Sequence, residues 1–197
     1  MIGQDHLIRV LETDTGDEVR LLTDKSGPLQ CMAFSFDCRR LAAAGEANHV
    51  RIWNLDTGAI ETDIERFSRR INTLRFSQQN DLLIFGGDER VMFAYDLTDQ
   101  TVHRLLGHDE SIHDVAFSPD GQTFASCSED GVVILWDRRA MQEVAVFPNQ
   151  PGRTDFVDFS SDGRSLIVGG NKPIRDLATG EAKSRAGFVF VYSAAHR

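Results

Sequence analysis

Serine, histidine and aspartate are the side chains of nucleophilic hydrolysis. One stretch of this 197-residue chain holds them close together: GHDESIHDVAFSPDGQTFASCSEDGVVILWD, Gly107–Asp137. His108, Asp114, Ser126 and Asp130 are its candidates, and a hydrolase reading pairs Ser126 as nucleophile with His108 as base. A metal reading takes His103, His108 and His113, which follow one another at five-residue steps. Both readings depend on the backbone that carries these residues, so the elements come next.

The chain repeats. Phe34, Phe76, Phe117 and Phe159 recur at steps of 42, 41 and 42, and Leu11, Trp53, Tyr95 and Trp136 at 42, 42 and 41. Two independent columns with one period mark a repeat architecture. Within each period the pairs Met32/Phe34, Leu74/Phe76, Val115/Phe117 and Val157/Phe159 alternate with smaller or polar residues, as in a strand. The turns SFDC, SQQN, SPDG and SSDG follow, then a second apolar strand, a tight turn and a third strand that ends in the aromatic. That third strand is apolar on both faces, Val132/Ile134/Trp136 against Val133/Leu135, so sheets must pack above and below it. Stacked antiparallel sheets of roughly 40 residues each form a propeller.

Gly107-His108 followed by Trp136-Asp137 is the signature pair of the WD40 repeat, with Trp53-Asn54 and Tyr95-Asp96 as weakened copies. The chain resembles the WD40-repeat family over essentially its whole length. The resemblance implies an all-β fold, a WD40-type β-propeller of four-stranded antiparallel blades with about four to five repeats, whole or partial. It also implies a structural hydrogen-bond network of His108, Ser126, Asp130 and Trp136. The physics agrees: a buried indole N–H, a hydroxyl and an imidazole each need a partner, and a closed network supplies all three. Ser126 falls mid-strand, with no GxSxG elbow to present its oxygen. The three histidines run from strand through loop into strand, a path that does not converge them on one ion. No phosphate-binding glycine motif occurs. The expectation is therefore no catalytic residue, no metal and no cofactor.

Composition narrows the remaining classes. Apolar residues make up 41% and charged residues 26% of the chain, an ordinary globular balance, and no apolar run reaches bilayer length. The net charge of −9 disfavours nucleic acid as a ligand. Three cysteines, Cys31, Cys38 and Cys127, form no CxxC pair and suit a reducing, cytoplasmic compartment.

Function is expected on the propeller face that gathers the loops before each first strand and between second and third strands. Those loops include 67–70, 108–110 and 150–153, and in the last repeat the tight turn gives way to a loop insertion at 171–187. Arg69, Arg70, Arg153, Lys172 and Arg175 are the candidate partner-binding residues there, a basic patch suited to an acidic or phosphorylated protein or peptide. The expected function is a non-catalytic scaffold, with no nucleic acid and no membrane.

The strand tally is 2 + 4 + 4 + 4 + 3, in one domain over 1–197 with units near 1–22, 23–65, 66–106, 107–147 and 148–197. Four blades would use 16 strands. Self-association could complete a ring. Alternatively, because the first unit begins inside a blade, the chain is the C-terminal sensing or regulatory part of a longer protein with an upstream catalytic domain. A hydrolase using Ser126 and His108 is the third alternative.

Overall fold

A computed structural model describes residues 7–24, 27–46, 49–65, 67–148, 150–175 and 182–193, with the backbone but not the side chains of 173–175 and 182–185. All regular structure among them is strand. β1 (Leu7–Leu11) and β2 (Glu18–Thr23) form a two-stranded sheet. Three four-stranded sheets follow. The first is β3 (Leu29–Phe34), β4 (Arg40–Gly45), β5 (Val50–Asn54) and β6 (Ile60–Ile64). The second is β7 (Ile71–Phe76), β8 (Leu82–Gly87), β9 (Val91–Asp96) and β10 (Val102–Leu106). The third is β11 (Ile112–Phe117), β12 (Thr123–Ser128), β13 (Val133–Asp137) and β14 (Gln142–Phe147). A three-stranded sheet of β15 (Arg153–Phe159), β16 (Ser165–Arg175) and β17 (Ala182–Ser193) ends the chain. Every pairing is antiparallel between consecutive strands, so each sheet is a meander, and the tally of 17 strands is the one the repeat alignment predicts.

The sheets stack as blades. Ala42, Ala44 and Ile52 of the first complete blade pack on Leu74, Phe76 and Phe85 of the second. Ile84 and Ala94 of the second pack on Phe124 and Trp136 of the third. Ala125, Cys127 and Val133 of the third pack on Val157, Leu166 and Val168 of the last. Each middle strand is thus buried on both faces, which is why β8 and β9 read as nearly continuous apolar runs. At the first-to-second-strand turn, Cys38, Asn80, Gly121 and Gly163 occupy one equivalent position, all with φ between 57° and 69°. Gly16, Gly58, Gln100 and Met141 likewise share one position before each outer strand, with φ between 53° and 77°. Only glycine takes that conformation without cost, so the non-glycine members are tolerated rather than preferred.

One expectation is corrected. The segment 171–187 does not replace the tight turn with a loop: β16 and β17 run on through it, paired from Asn171↔Gly187 to Arg175↔Ala182. Pro173 does not forbid this. β15 ends opposite Asn171, so beyond that residue β16 has one neighbour, and a missing N–H on the open side breaks no ladder. The tip, 176–181, lies outside the described residues.

Candidate functional site

The loops that precede each inner strand meet the second-to-third-strand turns along one edge of the blades, with the Glu129 N–H donating to Ser111 O and the Asp88 N–H to Arg70 O. At this edge of the third blade sits the site with the residue types of a hydrolase. His108 Nδ1 lies 3.0 Å from Asp130 Oδ2 and its Nε2 lies 2.7 Å from Ser126 Oγ. Trp136 Nε1 donates to the same hydroxyl at 2.9 Å. Asp130 can only accept, so Nδ1 carries the imidazole proton, Nε2 accepts, and Ser126 donates to it. The Asp109 N–H also donates to Asp130 Oδ2, and the Val132 N–H to Oδ1. Burial works to raise the Asp130 carboxyl, but these hydrogen bonds, that from His108 foremost, outweigh it and hold the group below its usual range.

The order Asp130–His108–Ser126 is that of a catalytic triad, yet Ser126 is 0% exposed and its oxygen already accepts from an indole. No substrate carbonyl can reach it without unpacking Trp136. Two interblade clefts, of about 380 and 390 Å³, are lined around Asp81 and Arg138 and around Phe159 and Tyr192; neither includes Ser126 or His108. His103 and His113 do not join His108: His103 Nε2 lies 3.3 Å from Thr101 Oγ1, and His113 sits at the bulge of β11. Asp114 is also elsewhere, 3.2 Å from Arg75 and accepting from Thr73 of the neighbouring blade. Among the described residues no group of three or more His, Cys, Asp or Glu could hold a metal ion.

The equivalent slot is filled differently in the second and last blades, and aligning the sequence columns beyond the aromatics is the signal that reveals it. In the second blade Phe67 stands where His108 stands, Phe85 where Ser126 stands, and Phe93 joins them. Their rings meet at 5.1, 4.8 and 5.5 Å between centroids, an apolar plug in place of a polar network. Glu89 there takes the part of Asp130, accepting from the Ser68 N–H and hydroxyl and from the Arg69 N–H. In the last blade Gln150 replaces the histidine and donates to the Tyr192 hydroxyl at 2.7 Å. The first blade holds an ionic cluster at other columns: Arg51, aligned with Phe93 and Ile134, bridges Asp24 at 2.7 Å and Asp63 at 2.6 Å and lies over the Trp53 ring, and Asp63 also faces His49. In the second, third and last blades the position is kept while the chemistry is not.

Two residues of the expected basic patch, Arg70 and Arg153, are ion-paired. Arg70 lies 3.5 Å from Asp88, Arg153 2.9 Å from Asp155, and Arg90, near them, 3.3 Å from Glu110. Lys172 is exposed on β16, and Arg75, a strand residue outside those loops, points to Asp114. The side chain of Arg175 lies outside the described residues.

This geometry, blades of four antiparallel strands with a His–Ser–Trp network at one edge, defines a WD40-type β-propeller. Residues 16–54 and 99–137 match the family model described as WD domain, G-beta repeat, so the chain carries WD40 repeats at these two segments. A chromatin assembly factor 1 subunit of Mus musculus is 29% identical over 137 residues, 55% of this chain and 24% of that protein. Target of rapamycin complex subunit wat1 of Schizosaccharomyces pombe is 25% identical over 175 residues, 86% of this chain and 55% of its own length. Coronin-7 of Pongo abelii is 31% identical over 165 residues, 77% and 18%. The chain spans 18 to 55% of the length of these relatives.

Proposed function

We propose that this chain is a non-catalytic interaction scaffold, one repeat domain that holds a protein or peptide partner on the loop edge of its blades. The observation that carries the reading is the state of Ser126: its hydroxyl is spent on His108 and Trp136 at zero exposure, so the network fixes loops instead of attacking substrate. Loops fixed in this way lose little freedom on binding, which is how a propeller gains affinity from modest contacts. Two of the relatives are named as subunits of assemblies, a chromatin assembly factor and a target of rapamycin complex, which supports a protein partner.

The partner class we favour is acidic or phosphorylated, engaging Arg69, Arg70, Arg153, Lys172 and Arg175. The support is positional: Arg69, Arg70 and Arg153 belong to the loops of one edge, and Arg70 and Arg153 each have a carboxylate beside them, so a bidentate oxyanion exchanges one pairing for a stronger one. The net charge of −9 opposes nucleic acid, and no helix of the described residues is long and apolar enough to cross a membrane. Three unpaired thiols support a reducing, cytoplasmic setting.

The test is crosslinking with mass spectrometry on the tagged chain, wild type against an Arg69→Glu/Arg70→Glu/Lys172→Glu variant. Crosslinks that fall on the loop edge and vanish in the variant, with melting temperature unchanged, support the reading. Partners that map to the opposite edge, or that persist in the variant, overturn it.

A further inference from the structure

The boundary between the second and third complete blades is built differently from the one before it. After each third strand one backbone bond fixes the chain: Leu55 N–H donates to Arg39 O, Leu97 N–H to Asp81 O and Arg138 N–H to Gln122 O, at 2.8 to 3.0 Å. The place is the same and the side chains are not. Leu55 packs on the cluster of Leu41 and Trp53, and Leu97 on that of Phe76 and Leu83. Arg138 instead reaches across to Asp81 of the second blade, a position that holds Arg39, Gln122 and Arg164 in the other blades. A second contact is lost beside it. In the first complete blade Asn54 Nδ2 donates to Glu61 Oε1 at 2.7 Å. Asp96 and His103, at the same seven-residue spacing in the second blade, make no bond to each other.

These changes line an open cleft of about 380 Å³ on the edge opposite the loops, a size within the range of small-molecule sites. Leu82 and Met141 give it an apolar wall. Its charges are partly spent. Arg138 and Asp81 neutralise each other, and Asp81 Oδ1 also accepts from the Ser77 hydroxyl at 2.7 Å. His103 Nε2 lies 3.3 Å from Thr101 Oγ1. Two groups of opposite sign are left. Asp96 receives the Thr98 and Asp99 N–H groups on Oδ1, and among the described residues its Oδ2 accepts nothing. Arg139 is exposed, lines the same cleft and makes no ion pair among the described residues.

We infer that this cleft binds a small zwitterion, an apolar α-amino acid in its free form. The cleft offers one unspent cation, one unspent anion and an apolar wall, and such a ligand carries the complement of all three. Arg139 takes the carboxylate through its planar fork, the geometry that guanidinium groups favour. Asp96 Oδ2 takes the ammonium, and Leu82 and Met141 take the side chain. Arg138 stays on Asp81 and keeps the two blades in register around the ligand. A ligand of one sign only is rejected by the same arrangement. A plain anion leaves Asp96 unpaired beside it, and a plain cation does the same to Arg139. The site lies away from the loop edge and depends on no part of the scaffold reading.

The experiment is an amide NMR titration of the isotope-labelled 197-residue chain with L-leucine at millimolar concentrations. Leucine is expected to shift the amides of Asp96, His103 and Arg139 saturably. Isocaproate, which lacks the ammonium, and leucinamide, which lacks the carboxylate, each lose a charge-assisted hydrogen bond and should bind about tenfold more weakly or worse. Arg139→Gln and Asp96→Asn should weaken leucine by a similar factor. The asparagine keeps an oxygen for the Thr98 and Asp99 N–H groups and Arg139 is exposed, so both variants spare the fold, checked by melting temperature. Should Asp96→Asn lower that temperature, Arg139→Gln and the analogues decide alone. No saturable shift with leucine overturns the proposal, as does isocaproate or leucinamide binding as tightly as leucine, or an Arg139→Gln variant that binds it undiminished. Loop-edge partners are read by crosslinking, so either result here leaves the scaffold reading as it stands.

Discussion

Ser126 and His108 sit 2.7 Å apart, hydroxyl to Nε2, and this short bond is the centre of a closed chain running from Trp136 to Asp130. Every donor in it has an acceptor, and Ser126 is wholly buried. A nucleophile needs a path for substrate to its oxygen; this buried hydroxyl has none.

Ser126→Ala strands the Trp136 N–H, while the His108 Nε2 loses its donor. A buried polar group left without a partner costs about 1–3 kcal/mol. At about 2–4 °C per kcal/mol for a chain of this size, the melting temperature falls by several degrees. Thermal unfolding followed by circular dichroism checks this. An unchanged melting temperature would mean that the network does not support the blade.

How much of this is legible in the sequence depends on what repeats. The Phe and Trp columns announce blades because a strand flanked by two sheets must be apolar on both faces, and that pattern survives in one sequence. The His108–Ser126–Asp130–Trp136 group is readable since all four types stand in one repeat. The Phe67–Phe85–Phe93 plug is not, because its residues resemble ordinary core until aligned on His108 and Ser126. Nor is the ladder beyond Asn171: Pro173 and the charges around it read as loop, and only the absence of a second neighbour strand makes a proline acceptable there.

Acid should weaken the third blade through Asp130. Its folded carboxyl titrates below the ordinary value near 3.9, so the unfolded chain binds the proton more readily. The stabilisation is therefore complete above the unfolded value and is lost as pH falls through the folded one. Urea midpoints measured from neutral pH down should drop more steeply in the wild type than in Asp130→Asn below about pH 4. Parallel curves would assign the acid limb to other carboxylates.

Backbone strain offers a gain in stability. Cys38 holds φ 57° and Gln100 φ 61°, at positions where other repeats carry Gly121, Gly163, Gly16 and Gly58. Both side chains are exposed. Cys38→Gly and Gln100→Gly each relieve a left-handed residue of about 1 kcal/mol, less what the freer unfolded chain takes back. A rise in urea midpoint at unchanged m-value is expected for both. Loss of stability in either would show that the side chain contributes a contact outweighing the strain.

The three thiols should differ sharply in reactivity. Desolvation by burial pushes the Cys31 thiol up to about 12, against the opposing charge of Arg75, and burial raises Cys127 further. Thiolate is the reactive form, so neither should alkylate in the folded chain at neutral pH. Cys38 is exposed. Mass spectrometry after brief iodoacetamide treatment should find one modified cysteine, Cys38, and three only after denaturation. Early modification of Cys127 would mean that the contact between the third and last blades opens readily.

The second blade allows the sharpest experiment on the shared slot. Phe67 is buried and edge-on to both Phe85 and Phe93. Phe67→His alone places an imidazole against two rings with no hydroxyl to meet Nε2, and removes aromatic contact, a loss of about 3–5 kcal/mol if the site does not collapse. Phe85→Ser alone leaves a cavity and an unpartnered hydroxyl. Made together, the two changes rebuild the pair found in the third blade, with Glu89 already in the place of Asp130 and Tyr95 in that of Trp136. The double variant should therefore be more stable than the sum of the single losses predicts, by a coupling of about 0.5–3 kcal/mol. Guanidinium unfolding of the four proteins in the cycle measures it. Simple additivity would mean that the slot in each blade is held by its own neighbours, and that the polar and aromatic solutions are not interchangeable.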